Sequence, residues 1–127
     1  MRVLQLHCDS IEYTPTKKEI KSAEEIDPKK TVLEEVVVCF IAVEDDDDST
    51  VGKTAISEIQ ESMKKIGCKK LLLYPYAHLS SNLASPNTGL SILKEMESSV
   101  IDISVTRAPF GWTKAFSIKV KGHPLAE

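Results

Sequence analysis

Apolar residues form an almost unbroken run at residues 36–43, and a second apolar run, residues 71–74, follows Lys70 in a predicted strand over residues 70–74. Runs of this kind, rich in β-branched residues, are typical of strands that are buried on both faces of a sheet. The first run predicts a strand over residues 32–43. Shorter segments with the alternation or composition of strands lie at residues 3–7, 11–13, 100–106 and 115–120.

A different period marks residues 51–66, which predict an amphipathic helix because their apolar side chains recur at helical spacing. Those side chains are Ala55, Ile56, Ile59, Met63 and Ile66. The acidic run at residues 45–48 precedes this helix, where negative charge suits the positive end of the helix dipole. Gly67 follows the helix and is a good terminator.

A second helix is predicted to begin at Pro86, because Ser85 is a good N-cap and proline suits the first turn. It ends near Ser98. Its apolar side chains are Leu90, Leu93 and Met96. Residues 14–30 lack an apolar period and are rich in charged residues, proline and threonine, so they predict a solvated loop.

The predicted elements follow the order β-β-β-α-β-α-β-β. This order predicts one mixed α/β (α+β) domain in which two helices pack on a mixed sheet. A length of 127 residues suits a single domain, with 42% hydrophobic and 28% charged residues in an ordinary globular balance.

The net charge of −3 limits what the chain binds. A domain that grips a long stretch of nucleic acid usually has a basic face, because phosphate contacts supply much of the affinity. Any RNA contact made by this chain is therefore predicted to be small, or shared with a neighbouring domain. The chain stops at Glu127 without a tail, from which we expect residues 1–127 to be a domain of a longer protein.

The three cysteines, at positions 8, 39 and 68, have no metal-binding or redox spacing and fit a reducing cytosol. No signal peptide is predicted, because polar residues interrupt the first ten positions. No apolar run approaches the ~20 residues of a membrane helix. These features predict a cytoplasmic protein.

Three short motifs suggest other chemistry without meeting its requirements. Residues 51–54 (Val-Gly-Lys-Thr) resemble the end of a phosphate-binding loop, but Asp47 replaces the glycine that such a loop needs. The acidic run at residues 45–48 lacks the spacing and central glycine of a calcium loop. We interpret these motifs as a helix start and a solvated turn. Ser80 and Ser81 lack the glycine-flanked turn of a serine nucleophile.

Among the three histidines, His78 has the most informative context. It follows a predicted buried strand, and functional groups in α/β folds collect where strands end. Pro75 also prevents regular strand pairing there. From the residues alone, His78 is either a site residue or a core histidine. Neither His7 nor His123 stands at metal-ligand spacing from another histidine or a cysteine, so no metal is predicted.

Lys114 lies between an aromatic turn and the last predicted strand. A lysine at a strand start is exposed by default. If it is partly buried beside aromatic groups, its charge is suited to hold a water molecule, a phosphate or a developing oxyanion. The neighbouring Phe110 and Trp112 are either core residues or a surface on which an RNA base stacks.

Three segments together resemble the N-terminal editing domain of archaeal threonyl-tRNA synthetases: residues 74–81 (YPYAHLSS), 108–116 (APFGWTKAF) and 121–127 (KGHPLAE). The resemblance spans nearly the whole chain, and that family is similar in fold to D-aminoacyl-tRNA deacylases. It implies a hydrolase that removes wrongly attached serine from the tRNA for threonine by cleaving the ester at the terminal adenosine. Such a second site is needed because one missing methyl group gives only ~1–3 kcal/mol of discrimination.

The same resemblance implies roles for individual residues. His78 would contact the terminal ribose, Lys114 would position the attacking water or stabilise the tetrahedral intermediate, and Glu127 would bind the amino group of serine. The other pocket residues would be Pro75, Tyr76, Ala77, Trp112 and Thr113. The family implies no metal and no cofactor for this reaction. The implied partners are the 3′ end of tRNA(Thr), the remainder of the synthetase and a second copy of the chain in a homodimer.

The chain departs from the family pattern at Thr113, where relatives often carry a second aromatic residue before the lysine. A threonine hydroxyl is too short to replace a tyrosine hydroxyl there. Cys8 and Ser10 also differ from the expected residues. Two alternatives therefore stay open, a D-aminoacyl-tRNA deacylase of the same fold and a non-catalytic domain that only binds tRNA.

Overall fold

The computed structural model describes residues 1–127, which form five strands and two α-helices. These elements are β1 (Arg2–Lys18), β2 (Thr31–Ala42), α1 (Ser49–Ile66), β3 (Lys70–Pro75), α2 (Pro86–Ser99), β4 (Ser104–Arg107) and β5 (Trp112–Val120). The strands form one sheet in the order β4-β3-β2-β1-β5. β1 is antiparallel to both of its neighbours, whereas β2, β3 and β4 run parallel. The predicted α+β domain with two helices and a mixed sheet is confirmed.

The first strand differs from the prediction in length. Segments 3–7 and 11–13 belong to one strand of 17 residues, not to two strands. Its pairing with β5 shifts register after Cys8 and again after Pro15. Bulges of this kind bend a strand and break its alternation, which explains why the sequence pattern looked interrupted. Residues 14–18, predicted to be loop, are the end of β1.

The strand β2 lies at the centre of the sheet and separates two cores. All residues from 36 to 43 are buried, as predicted for this run. Alternate side chains point to opposite faces of a sheet. One set, which includes Cys39 and Ile41, joins a core of 13 buried residues beneath the helices. The other set, which includes Val38 and Phe40, joins a core of 9 buried residues on the opposite face.

Side chains cap both helix starts, and the cap at Ser85 is the predicted one. The Asp48 side chain accepts a hydrogen bond from the backbone N–H of Val51 at 3.0 Å. Ser85 accepts one from the backbone N–H of Thr88 at 3.4 Å, with Pro86 in the first turn of α2. Gly67 ends α1 with a φ of 81°, which a residue without a side chain adopts freely.

The Val-Gly-Lys-Thr segment serves helix packing. Gly52 is buried in α1, and a Cβ atom built on it would lie 2.9 Å from Cγ of Met96 on α2. The glycine therefore lets the two helices approach closely, in agreement with its interpretation as a helix start. Neither helix has the combined length and apolar character of a membrane span.

Candidate functional site

The sheet face opposite the helices carries a connected group of aromatic rings, which we call the aromatic face. Its members are Tyr13, Phe40, Tyr74, Tyr76 and Phe116. Their centroid distances run from 4.9 Å for Phe40–Tyr74 to 6.4 Å for Tyr76–Phe116. Most pairs are tilted or edge-to-face, the arrangements that the charge distribution of aromatic rings favours.

Aromatic side chains from strands that are not neighbours meet on this face. Two strands lie between β5 and β3, so in a flat sheet β5 and β3 would be roughly 14 Å apart. The ring centroids of Phe116 on β5 and Tyr74 on β3 are nevertheless 5.5 Å apart. The two aromatic side chains therefore meet above the strands that separate them, β1 and β2.

Lys114 enters the aromatic face from β5. Its Nζ lies 4.9 Å from the ring centroid of Tyr74, within the range of a cation–π contact. The same Nζ donates hydrogen bonds to the carbonyl oxygens of Pro109 at 3.0 Å and Trp112 at 2.9 Å. An ammonium group has three N–H donors, so one donor remains for a ligand or a water molecule.

Burial changes the acid–base behaviour of this lysine. Loss of solvation lowers the pKa of Lys114 to about 8, while the nearby carboxylate of Glu24 acts in the opposite direction. The amine is therefore mostly charged at neutral pH and titrates a little above it. A partly desolvated cation stabilises developing negative charge more strongly than a fully hydrated one.

His78 reaches the same region from the other side. It lies in a short 3₁₀ turn, Ala77–Leu79, directly after β3, and its side chain is exposed. Its ring packs edge-on against Tyr76 with a centroid distance of 5.1 Å. Tyr76 is anchored by its backbone N–H, which donates to the carbonyl of Ile41 at 2.8 Å. Of the two interpretations left open, the structure excludes a buried core histidine.

A series of contacts thus connects the two motifs that the sequence singled out. Lys114 lies over Tyr74, Tyr74 is 6.2 Å from Tyr76 by ring centroids, and Tyr76 contacts His78. Pro75 is half-buried at the end of β3, and the exposed Ala77 begins the 3₁₀ turn. Residues of both motifs therefore lie on one face of the sheet.

Glu127 does not contact the residues that connect Lys114 to His78 in the same chain. Its carboxylate is exposed and makes no hydrogen bond or ion pair with the rest of the protein. The preceding Ala126 is buried, and its carbonyl accepts a hydrogen bond from the backbone N–H of His7 at 2.7 Å. The end of the chain is therefore fixed beside β1, while the Glu127 side chain is free to meet a ligand.

Sequence spacing gave no sign that two histidines meet. Nδ1 of His7 lies 2.7 Å from Nε2 of His123, 116 positions away in the chain. Burial lowers the pKa of His7, and the charges of His123 and Lys121 lower it further. This hydrogen bond attaches the C-terminal segment to β1. No group of three or more metal-ligating side chains gathers anywhere in the chain.

Thr113 and Trp112 take different positions from Lys114. Since side chains alternate along a strand, Thr113 lies on the opposite face of β5, where its hydroxyl donates to Glu19 at 2.6 Å. The indole N–H of Trp112 donates to the backbone carbonyl of Glu24 at 2.8 Å. Phe110 is half-buried against the helix-covered core. The roles of Thr113 and Trp112 in substrate binding stay predictions.

No side-chain nucleophile is activated in this region. The Ser80 hydroxyl donates to the Glu44 carboxylate at 2.7 Å, so it is held by an acid and not by a histidine base. All three cysteines are buried, and burial raises the pKa of Cys8 to about 11. The group in this region that can stabilise developing negative charge is the partly buried ammonium group of Lys114.

This five-stranded mixed sheet with two helices is consistent with the D-aminoacyl-tRNA deacylase-like class of fold. Comparison with known families narrows the assignment. The family described as "Archaea-specific editing domain of threonyl-tRNA synthetase" matches residues 1–127, and the chain belongs to this family. Its enzymatic activity is accordingly proofreading by deacylation.

Individual relatives agree with the family assignment. The chain is 70% identical over 128 residues to a threonine–tRNA ligase of Nitrosopumilus maritimus, and 44% identical over 132 residues to one of Methanocaldococcus jannaschii. It is 42% identical over 128 residues to a threonine–tRNA ligase editing subunit of Saccharolobus solfataricus. Each match covers 100% of this chain, but only 21% of the two ligases and 33% of the editing subunit. The chain therefore spans about a fifth to a third of the length of these relatives.

Proposed function

We propose that this domain hydrolyses the ester of L-seryl-tRNA(Thr) at the 3′-terminal adenosine. The observation that carries the proposal is the position of Lys114, a partly desolvated cation with one unused donor on the aromatic face. Attack of water on an aminoacyl ester places negative charge on the carbonyl oxygen, and Lys114 would stabilise this charge or hold the water. The alcohol that leaves is the terminal ribose hydroxyl.

The terminal ribose is assigned to His78. This side chain is exposed beside Tyr76, at the rim of the aromatic face, where a ribose hydroxyl can reach it. The backbone of residues 75–77 would line the pocket next to it. The proposal agrees with the acidic net charge of −3, because a site that receives only the end of a tRNA needs no broad basic surface.

The amino group of serine is assigned to Glu127. Its carboxylate has no partner within the chain, and the backbone before it is fixed at His7. A free carboxylate on a fixed backbone is suited to bind an ammonium group. This assignment requires that Glu127 reaches the aromatic face when the substrate is bound.

We also propose that residues 1–127 are the editing domain of a longer synthetase and act as a homodimer. The remainder of the synthetase would hold most of the tRNA. Leu4 and Phe116, 43% and 41% exposed, leave apolar surface on or near the aromatic face that a second copy would cover. Size-exclusion chromatography with light scattering should give twice the monomer mass, and a monomer at micromolar concentration would contradict the homodimer.

A substrate panel tests the reaction. We expect the domain to deacylate L-Ser-tRNA(Thr) much faster than L-Thr-tRNA(Thr), and Lys114→Met should lower the rate with L-Ser-tRNA(Thr) by about 10²- to 10³-fold. Preferential cleavage of a D-aminoacyl-tRNA would favour the D-aminoacyl-tRNA deacylase alternative. Binding to the acceptor end without any hydrolysis would favour a non-catalytic domain.

A further inference from the structure

Residues 19–24, within the stretch predicted to be a solvated loop, cross directly over the loop that joins β4 to β5. The backbone N–H of Glu19 donates to the carbonyl of Gly111 at 2.8 Å, and that of Glu24 donates to the carbonyl of Phe110 at 3.1 Å. The Trp112 indole returns a hydrogen bond to the carbonyl of Glu24. This crossing segment therefore has a defined structure and a defined partner.

Gly111 makes the close crossing possible. Its φ is 83°, a conformation that favours glycine, and a Cβ atom built there would lie 2.8 Å from the Cα of Ala23. A side chain at position 111 would push the crossing segment away. The motif Phe110-Gly111-Trp112 is thus shaped to receive residues 19–24.

The Glu24 side chain is the centre of the contact. Its carboxylate accepts a hydrogen bond from the backbone N–H of Phe110 at 2.9 Å and pairs with both terminal nitrogens of Arg107, one of them at 3.1 Å. Arg107 also donates from Nε to Glu97 of α2 at 2.9 Å. The Glu24 and Arg107 side chains are only 17% and 11% exposed, so this two-point ion pair is shielded from solvent.

We propose that Glu24 is a positioning residue for Lys114. It fixes the loop between Arg107 and Trp112, and the carbonyls of Pro109 and Trp112 in this loop are the two acceptors that hold the Lys114 ammonium group. Glu24 acts through these carbonyls, without touching the substrate. The proposal rests on the role of Lys114 in the proposed function.

Electrostatics supports the same assignment. Burial lowers the pKa of Lys114, and Glu24 is the ionisable group whose charge raises it. The ring beside the ammonium group, that of Tyr74, carries no charge, and neither does Pro15, the residue paired with Lys114 on β1. Removing the Glu24 charge should therefore lower the pKa of Lys114 and leave less of the charged form at neutral pH.

The main variant is Glu24→Gln, and its matched control is Glu97→Gln, which removes the other carboxylate partner of Arg107 but no contact to the loop. We would titrate the side-chain amine of Lys114 by NMR with labelled lysine, assigning its signal by its loss in Lys114→Met. We expect the titration midpoint to move to lower pH in Glu24→Gln and to stay in place in Glu97→Gln. A folded Glu24→Gln with the wild-type midpoint would overturn the proposal.

Activity gives the second readout. Misplacing a positioned group by about 1 Å costs up to roughly 100-fold in rate, so we expect Glu24→Gln to lower kcat by about 10- to 100-fold with little change in KM. The pH above which kcat declines should also be lower for Glu24→Gln than for the wild-type domain. Glu24→Asp keeps the charge and should restore part of both effects. If Glu24→Asp and Glu24→Gln lower kcat equally and leave the titration midpoint of the Lys114 amine unchanged, Glu24 has only a structural role. This result would contradict the positioning role.

The two proposals fail in distinguishable ways. If the wild-type domain does not hydrolyse Ser-tRNA(Thr), the proposed function fails, but a shift of the Lys114 midpoint in Glu24→Gln still supports positioning. Where Glu24→Gln does not fold, Glu24→Asp replaces it in the titration. Because the shorter side chain withdraws its carboxylate from the Phe110 N–H, Glu24→Asp should move the midpoint slightly to lower pH and lower kcat, and a wild-type midpoint together with a wild-type kcat would overturn the proposal.

Discussion

The two faces of the sheet are built from the same strands but from different chemistry. The helix-covered face is an aliphatic core in which side chains such as Leu73 and Leu93 are completely or almost completely buried. The aromatic face has tyrosine and phenylalanine rings, and it is covered only in part, so that Phe116 stays 41% exposed. It also contains an amine, Lys114, whose pKa burial lowers to about 8.

This difference shows that one face of the sheet stabilises the fold and the other face carries the candidate site. Close-packed aliphatic side chains stabilise the fold and leave no room for a ligand. Rigid aromatic rings keep a surface open while they shield a charge from water. Substitutions on the helix-covered face should therefore lower the unfolding free energy. Substitutions on the aromatic face should instead lower the rate of deacylation.

The largest effect is expected from Lys114→Met on the aromatic face. Loss of one group that stabilises an oxyanion typically costs 10²- to 10³-fold in kcat, or about 3–4 kcal/mol. The thermal stability should not fall, because burying the charged amine costs free energy in the wild-type fold. Single-turnover deacylation and thermal unfolding at pH 7 measure the two quantities. A variant with the wild-type rate would remove Lys114 from the site.

The corresponding change on the helix-covered face is Leu73→Ala. Truncating a fully buried leucine costs about 2–5 kcal/mol of unfolding free energy, because it loses apolar contacts and leaves a cavity. Urea unfolding measures this loss. The rate per folded molecule should stay close to wild type. A large loss of rate without a loss of stability would contradict the division between the faces.

The third prediction concerns pH. If the charged form of Lys114 is needed, kcat should fall about tenfold per pH unit above about pH 8, after the rising uncatalysed hydrolysis of the ester is subtracted. Stability should change in the opposite direction. Because burial lowers this pKa, the cost of the buried charge is fully present below about pH 8 and declines towards pH 10.5. Lys114→Met should lack both responses.

The smallest effect is expected at the rim. His78→Ala removes an exposed side chain, so the unfolding free energy should change by less than about 0.5 kcal/mol. Loss of a hydrogen bond to the ribose should raise KM by about tenfold or less. Kinetics with Ser-tRNA(Thr), compared with His123→Ala away from the aromatic face, separates the two histidines. Equal effects of both variants would contradict the assignment of the ribose to His78.

Much of the fold was predictable from local patterns. The run at residues 36–43, the helical spacing in α1 and the caps at Asp48 and Ser85 each depend on neighbours within a few positions. The long strand β1 was predicted as two pieces because bulges interrupt its alternation. Residues 19–24 gave no local signal at all, because their partners lie more than 80 positions away.

The sequence by itself determined the fold class, the helices and the motifs around His78 and Lys114, because short-range periodicity and motif composition carry that information. Only the tertiary structure decided that Lys114 lies over Tyr74, that His78 is exposed at the same face and that Thr113 points away from it. These positions depend on the pairing of the strands and on contacts between segments far apart in the chain. Pairing at such distances is set by the packing of the whole domain, which no window of sequence contains.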